Sequence, residues 1–506
     1  MHVDNQIKLR SATKLFCQSL GLRHNVYSGQ LKEIKNGRKL AMSLSSLEIT
    51  DALHAKCQGL RDSGVAERWL AHLIAAPTQS QVEGQGDVLN AYLTDTIAPL
   101  LNEIGFKHNV FDNPVNGAPP FLVANRHEGL VLPTILIYGH GDVIHGQDSE
   151  WHAGLKPFRT VKRDGMIFGR GTADNKGQHL INLLALQAVL EVKGRLGFNV
   201  TLLLEMGEEV GSPGLAEFCN AQKDLLAADV LIASDGPRLM VDVPTVFLGS
   251  RGALNFDLKI DLRDGALHSG NWGGLVVDPA MRLAHALATL TDARGQIKIP
   301  AWRPISLTTD VRAIIAKLPP AEEQESLIEI NWGEEDLSPN ERVFGWNSFA
   351  ILAMTSGVPK NPVNAIAGSA RATCQLRYVV GTEVNDILPA LRNHLDANGF
   401  NDIEICGEDQ LRFAATRQNA DNIWVQRVLT SLEKSAGQPA HLLPNLAGSV
   451  PNECFSDILR LVTIWVPHSY RQCSQHAPNE HMPETLFHEA IRTMTDLFND
   501  LDSEPI

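Results

Sequence analysis

The sequence predicts an α/β protein: a mixed, mostly parallel sheet with helices on both faces, plus an inserted α+β unit. Three short apolar runs indicate the buried strands of this sheet, and they read TILIYGHGD, FNVTLLLEMGEE and VLIASDGP. Two helical patterns, QHLINLLALQAVLEV and GLAEFCNAQKDLL, separate them, as βαβ units require. Ligands of such sheets bind beyond the carboxyl ends of the strands, so that edge is the place to look for a site.

The elements around these strands are predicted from periodicity. Residues 1–60 have a helical apolar pattern and no clear chemistry. GVAERWLAHLIAA and DVLNAYLTDTIAPLLNEIGF then predict amphipathic helices that pack on the sheet. Near the other end, NIWVQRVLTSLEKSAG predicts a helix, LRLVTIWVPH a buried strand, and the residues from about Pro483 a last helix.

A change of pattern near residue 251 marks the insertion. ALNFDLKIDL and ARATCQLRYVV alternate like antiparallel strands, and each is followed by a helical pattern. The sequence therefore predicts a larger domain made of residues 1–250 and 406–506, with a helical extension over 1–60. A second domain over 251–405 interrupts it.

Composition excludes several classes of protein. The 506 residues carry 58 acidic and 44 basic side chains, a net charge of -14, and no Lys/Arg run, so we expect no nucleic-acid partner. The 7 cysteines include no C-x-x-C pair, which favours a reducing compartment. The N-terminus lacks a secretory h-region and no stretch reaches the roughly 18 apolar residues of a membrane span. We expect a cytoplasmic protein with no membrane partner.

Polar groups gather where the predicted strands end. His140 and Asp142 follow the first run, Glu208 and Glu209 the second, and Asp235 the third. Each has an ordinary structural explanation: a hydrogen-bonded histidine, a solvated glutamate pair, or an Asp that caps the turn before Gly236. Together they would concentrate negative charge at one edge, which is costly unless a cation neutralises it. The pattern therefore favours a metal site.

Two further segments supply candidate ligands. GRGTADNKG carries Asp174 on a Gly-rich turn, but it lacks both the Walker pattern and G-x-G-x-x-G, so a nucleotide site is disfavoured. QHAPNEHMPE supplies His476 and His481, one of which could complete the ligand set. Oxygen and imidazole ligands without thiolates fit zinc, with manganese or cobalt as substitutes.

These motifs, in this order, resemble the di-zinc peptidase family of aminoacylase, carboxypeptidase G and carnosine dipeptidase. The resemblance runs from about residue 65 to the end, and HSGNWGG at 268–274 is most similar to the dipeptidase branch. It implies that His140 and Asp235 bind one zinc, that Glu209 and His476 bind the other, and that Asp174 bridges them. Glu208 would then be the general base and Asp142 would orient His140.

The resemblance also implies residues that bind the substrate. His268 would stabilise the oxyanion, often across a homodimer formed by the 251–405 domain, which acts as a lid. Arg377 would hold the terminal carboxylate, and Asn364, Gly448 and Ser449 would line the same end. The chain departs from the family pattern at NLAGSVP, where Asn445 stands in place of a common arginine. Such departures lie near the ends of the substrate.

We therefore expect metal-dependent hydrolysis of the amide bond of a dipeptide, or a similar small substrate with a free carboxylate. The nearest alternative is an amidohydrolase of N-acyl or conjugated amino acids, which would use the same site. A two-metal phosphoesterase is disfavoured by the paired glutamates and by the lack of clustered arginines in the sequence. A non-catalytic metal-binding relative is disfavoured because the ligand set and Glu208 are all present.

Overall fold

An eight-stranded sheet runs through the larger part of the computed structural model, which describes residues 45–321, 328–407 and 412–502. In spatial order its strands are β1 (Lys107–Phe111), β2 (Phe121–Arg126), β6 (Asn199–Glu205), β3 (Thr134–His140), β7 (Val230–Ala233), β18 (Val462–Trp465), β9 (Thr245–Phe247) and β17 (His441–Leu443). The four central strands, β6, β3, β7 and β18, are parallel. The pair β1 and β2 is antiparallel, and so is β9 to β18, so the predicted mixed, mostly parallel sheet is confirmed.

Helices cover both faces because alternate strand residues point to opposite sides. Ile135 and Ile137 pack in one core, and Leu136 and Tyr138 pack in the other. The first core lies under α1 (Ser46–Asp62), α2 (Val65–Ile74), α5 (Lys176–Lys193), α12 (Ile423–Ala436) and α13 (Glu484–Asp500). The second lies under α6 (Leu215–Ala221) and a π-helical turn, Cys454–Ile458. The predicted helix after residue 86 consists of α3 (Gly86–Ala91), a π segment (Tyr92–Ile97) and α4 (Ala98–Glu103).

A five-stranded antiparallel sheet forms the inserted α+β unit. Its strands are β10 (Gly252–Asp261), β12 (Ser348–Ser356), β14 (Ser369–Tyr378), β15 (Glu404–Cys406) and β16 (Arg412–Phe413), with β12 at one edge. The helices α8 (Pro279–Leu290) and α11 (Ile387–Ala397) pack on it in a third core. Between them, α9 (Thr309–Ile315) and α10 (Pro339–Phe344) instead pack against the core of the large sheet.

Shorter pairs complete the fold. They are β11 (Leu267–His268) with β13 (Ala365–Ile366), β8 (Pro237–Arg238) with β19 (Ser469–Tyr470), and β4 (Val161–Arg163) with β5 (Met166–Phe168) and β20 (His481–Pro483). A one-turn helix, α7 (Ser269–Trp272), follows β11. The predicted extension over 1–60 is described only from residue 45, and the rest of it lies outside the described residues. In the described ranges no helix has both the length and the apolar character to cross a bilayer.

Candidate metal centre

The ends of three neighbouring strands bring acidic and imidazole side chains together. His140 is the last residue of β3, and Asp235 follows the adjacent parallel strand β7. Glu208 and Glu209 follow β6 on the other side of β3, where His140 pairs with Glu205. His140 is fully buried and Asp235 is 4% exposed. The parallel arrangement therefore places these groups at one edge of the sheet, as the sequence predicts.

Two groups of candidate ligands share Asp174. In the first, His140 Nε2 lies 3.2 Å from Asp174 Oδ1 and 3.6 Å from Asp235 Oδ2. In the second, His476 Nε2 lies 3.2 Å from Asp174 Oδ2 and 3.0 Å from Glu209 Oε2. Within each group all ligand atoms lie within 4.8 Å of one another. Asp174 thus offers one oxygen to each group, which is the geometry of a bridging carboxylate.

The buried carboxyl groups of this cluster would be stabilised by a positive charge. Burial, with the nearby Asp174 carboxylate, raises the pKa of Asp235 to about 6 and that of Glu209 to about 7. Burial also raises the pKa of Glu208 well above its ordinary value. Among the described residues, the buried His140 Nε2 has no hydrogen-bond partner of good geometry. Buried carboxylates and an unsatisfied ring nitrogen that face one another are the donor set that a divalent cation needs.

Asp142 connects the two sides of the cluster. Its Oδ1 lies 3.3 Å from His140 Nδ1, in position to orient the ring as predicted. Its two carboxylate oxygens also accept the backbone N–H groups of Glu208, at 3.2 Å, and Glu209, at 3.1 Å. The single carboxylate therefore fixes the histidine and the glutamate pair relative to each other.

Glu480 holds the loop that carries Asp174, a role that was not predicted from the sequence. Its buried carboxylate accepts the backbone N–H groups of Gly171, Ala173 and Asp174 at 2.9–3.0 Å. Arg170 donates to the same carboxylate at 2.8 Å. The only signal in the sequence was an acidic residue four positions after His476. Glu480 therefore ties the loop of one candidate ligand to the loop of another.

The structure separates the two histidines that the sequence left as alternatives. His476 joins the cluster from a turn in which Ser474, His476 and Asn479 all have positive φ, a conformation that non-glycine residues rarely adopt. His481 lies instead in β20, where its ring shares a hydrogen bond with the Asn479 carbonyl. His476 is the histidine placed for a ligand role.

A second group of predicted residues surrounds the turn 445–449. Arg377 on β14 donates to Ser449 Oγ at 3.1 Å, and the backbone N–H of Arg251 donates to the Gly448 carbonyl at 3.2 Å. The turn adjoins the metal cluster, because a Cβ placed on Gly236, next to Asp235, would lie 3.2 Å from the Leu446 side chain. Arg251 and Arg417 also contact this turn and were not predicted as site residues. The structure therefore clusters three arginines that are distant in sequence, so a lack of clustered arginines no longer disfavours a phosphoesterase, which the paired glutamates still disfavour.

His268 and Asn364 form a third group. The Ser269 N–H donates to the Asn364 carbonyl at 2.9 Å, and both residues are exposed beside the β11–β13 pair. In the described part of the chain neither residue makes a hydrogen bond or ion pair with the metal cluster. Within the described residues of one chain, hydrogen bonds and ion pairs thus do not connect these two predicted residues to the metal cluster.

A further set of metal-type side chains, Glu67, Glu484 and His488, is neutralised within the protein. Lys162 Nζ donates to Glu67 at 3.2 Å and to Glu484 at 2.7 Å. His488 Nε2 lies 3.1 Å from the same Glu67 oxygen. With an ammonium already between the carboxylates, this set is a structural ion network.

Known proteins share sequence and fold with this chain. Residues 136–500 match the sequence model of peptidase family M20/M25/M40. A segment of the chain is 36% identical over 169 residues to the cysteinylglycine-S-conjugate dipeptidase of Corynebacterium striatum, and covers 33% of this chain and 36% of that protein. A segment is also 34% identical over 185 residues to the Beta-Ala-His dipeptidase of Mus musculus, and it covers 36% of this chain and 37% of that protein. The matches thus span little more than a third of these curated relatives.

Solved structures resemble a larger share of the chain. An M20 family metallo-carboxypeptidase from Sulfolobus solfataricus superposes with a TM-score of 0.74 and 26% identity, over 86% of this chain and 99% of that one. The di-peptidase Dug1p from Saccharomyces cerevisiae superposes with a TM-score of 0.75 over 90% of this chain and 99% of that one. At 20% identity the second likeness shows the fold alone.

Proposed function

This chain belongs to peptidase family M20/M25/M40, and from that premise we propose that it hydrolyses the amide bond of dipeptides with a free carboxylate. The observation that carries the proposal is the pair of ligand groups that share Asp174. The names of two relatives, both dipeptidases, support the substrate class.

The donor set fits two divalent cations, and we propose Zn²⁺, with Mn²⁺ or Co²⁺ as substitutes. His140 and Asp235 would hold one, Glu209 and His476 the other, and Asp174 both. All these donors are carboxylate oxygens or imidazole nitrogens, which suit zinc when no thiolate is present. When bound, such a pair polarises a carbonyl group and lowers the pKa of a shared water molecule.

Glu208 would then act as the general base. Its Oε2 lies 4.0 Å from His140 Nε2, at the border of the cluster, while its neighbour Glu209 points to His476. Because Asp142 accepts both backbone N–H groups, the two glutamates stay in these separate positions. Glu208 would take the proton of the attacking water and pass it to the leaving amine.

Arg377 is proposed to hold the substrate carboxylate, with Gly448 and Ser449 beside it. Its guanidinium reaches Ser449, and the turn that carries Ser449 packs next to Asp235. A planar guanidinium binds a carboxylate through two parallel hydrogen bonds, which fixes the end of a short peptide. Asn364 would approach the substrate from the group that contains His268.

We propose that the chain forms a homodimer through residues 251–405, and that His268 serves the site of the partner. Edge strand β12 exposes Ile351 (47%), Leu352 (53%) and Met354 (43%). The segment after His268 exposes Leu275 (76%) and Met281 (61%). An unpaired edge strand and exposed apolar side chains in one domain are typical of an interface. A second subunit would cover them and could receive His268 and Asn364.

The variant Glu208→Gln tests the base assignment, since it keeps the side-chain shape and removes the carboxylate. We expect kcat for dipeptides to fall by about 100-fold or more, because a general base contributes at least that much. The metal content of the variant should match that of the wild type. Glu217→Gln, at an exposed position of α6, is the matched control and should retain full turnover.

The same assay separates the two candidate substrate classes. Dipeptides and N-acetyl amino acids with the same C-terminal residue would be compared, and dipeptides should have the higher kcat/KM.

Turnover by Glu208→Gln at the wild-type rate would disprove the role of Glu208.

A further inference from the structure

Three arginines that are distant in sequence meet around the turn 445–449. Arg377 donates to Ser449 Oγ at 3.1 Å, and Arg417 donates to Asn445 Oδ1 at 3.2 Å. Arg251 donates through its Nη2 to the Arg377 carbonyl at 3.2 Å. Ser449 Oγ in turn donates to the Arg251 carbonyl at 2.7 Å, which closes the group. We call these three residues the arginine pocket.

No described carboxylate neutralises the arginine pocket. The hydrogen-bond acceptors of its guanidinium groups are the side chains of Ser348, Gln375, Asn445 and Ser449 and the carbonyls of Ser306 and Arg377. Within residues 45–321, 328–407 and 412–502, the Nε atoms of Arg251 and Arg417 are buried without a hydrogen-bond partner. The pocket therefore holds three positive charges against neutral groups only.

Among the described residues, the other fully buried arginines also have an unbonded guanidinium nitrogen, Nε in Arg170 and Nη2 in Arg238, but they differ in having a carboxylate partner. Arg170 and Arg238 are each 1% exposed, and each has a carboxylate nearby: Glu480 at 2.8 Å and Glu489 at 2.9 Å. An unpaired buried charge is costly, so fully buried arginines in proteins are normally paired. Arg251, which is 5% exposed, departs from this rule at a position beside the candidate active site.

Burial of these charges lowers the pKa of all three arginines. Burial, together with the nearby Arg377 cation, lowers the pKa of Arg251 to about 10. Burial alone lowers the pKa of Arg377 and that of Arg417. An anion that enters the pocket would relieve this desolvation and repulsion.

The location of the pocket points to the substrate as that anion. Leu446 lies in the turn that the three arginines surround, and it packs against Gly236, directly after Asp235. Arg377 and Arg417 are partly exposed, as direct contact with a ligand requires, whereas Arg251 is 5% exposed and would act through its charge. Arg417 bonds to Asn445 and Arg377 bonds to Ser449. These two partners are four residues apart, so their Cα atoms are separated by at most about 14 Å.

We propose that the arginine pocket selects substrates with two carboxylates at the end that Arg377 holds, namely dipeptides with a C-terminal Asp or Glu. This inference rests on the proposed function. Arg377 would bind the α-carboxylate and Arg417 the side-chain carboxylate. Asn445 orients Arg417, since its Oδ1 accepts from Arg417 while its Nδ2 donates to the Leu446 carbonyl at 3.3 Å.

The test compares kcat/KM of the full-length protein for Ala-Glu and Ala-Gln, which differ only by the second charge, with Ala-Ala as the reference. We expect Ala-Glu to exceed Ala-Gln by about 10-fold, the usual effect of a hydrogen bond to a charged group. Arg417→Gln should reduce this ratio to near 1, and Arg417→Lys should leave an intermediate ratio. Arg427→Gln is the control, because Arg427 is also half-buried but lies on α12 and donates to the carbonyl of Leu501, directly after α13.

The rates for the three dipeptides distinguish failure of the specificity inference from failure of the proposed function. If Ala-Ala and Ala-Gln are hydrolysed as well as Ala-Glu, the specificity inference is wrong and the proposed function stands. If no dipeptide is hydrolysed, the proposed function fails and the inference falls with it. Should Arg417→Gln not fold, the ratio measured for the wild type still decides between these results.

Discussion

At the scale of single residues, Glu480 joins the two loops that carry the ligands Asp174 and His476. Its carboxylate lies inside the loop 169–175 and binds three backbone N–H groups and Arg170. Mutation of residues that hold metal ligands in place typically lowers metal affinity or activity by about 10- to 100-fold. We therefore regard Glu480 as a positioning residue of the proposed metal centre.

Glu480→Gln tests this role. The amide replaces one acceptor oxygen by a donor, so at least one of the backbone N–H groups in the loop loses its partner. We expect the affinity of the metal-free protein for Zn²⁺ to fall by about 10-fold or more, measured by titration calorimetry. Dipeptide hydrolysis at saturating Zn²⁺ should be affected less than the affinity.

The matched control is Asp257→Asn in the five-stranded sheet. Asp257 is 2% exposed and accepts from Thr373 at 2.7 Å, so it is also a buried, bonded carboxylate. This variant should lose thermal stability but keep the Zn²⁺ affinity of the wild type. An unchanged affinity in Glu480→Gln would show that Glu480 has no positioning role.

The site could be predicted from the sequence only in part. His140, Glu208, Glu209 and Asp235 follow apolar strands, so the rule for parallel sheets predicts that they meet. Asp174 and the pair His476 and His481 could be named as candidate ligands from their loops, but the bridging role of Asp174 and the choice of His476 needed the family motifs. Arg417 had no local signal, because its partner Asn445 is 28 residues away and the contact depends on tertiary packing.

At the scale of secondary-structure elements, the edge strand β12 carries the proposed interface. Among the described strands it pairs with β14 alone, and most of its residues are exposed. A free edge with apolar side chains favours pairing with a second copy of the same strand.

Ile351→Lys should therefore convert a dimer into a monomer, because a lysine on an edge strand opposes pairing. Sedimentation equilibrium gives the mass of each form. If His268 of the partner subunit stabilises the oxyanion, kcat for dipeptides should also fall by about 100-fold.

Val131→Lys is the control, since Val131 is 96% exposed and lies outside residues 251–405. It should remain dimeric and active. A wild-type protein that sediments as a monomer at assay concentrations, or a dimeric Ile351→Lys variant, would refute the proposed interface.

Some elements could be predicted from the sequence more readily than others. The central strands β3, β6 and β7 are continuous apolar runs because both of their faces are buried, and this pattern is distinctive. β12 was not predicted, because nearly all of its residues are exposed and buried and exposed positions do not alternate along it. The outer strands β1 and β2 were also missed; β1 is short and only partly buried.

At the scale of the whole molecule, two structural units contribute to the proposed chemistry. The eight-stranded sheet positions the candidate metal ligands, and the five-stranded sheet supplies Arg377 on β14. The contact between Arg377 and Ser449 joins them. The sequence predicts an insertion that begins near residue 251, and this insertion supplies Arg377. Its exact bounds, 251–405, stay a prediction.

The central claim is that this cluster hydrolyses dipeptides with the help of bound cations, and one measurement tests it most directly. Hydrolysis of Ala-Ala and the metal content per chain would be determined before chelation, after chelation and after Zn²⁺ is restored. We expect about two cations per chain at the start, loss of turnover as they are removed, and recovery when they return. Undiminished turnover by protein that has been freed of metal would contradict the account.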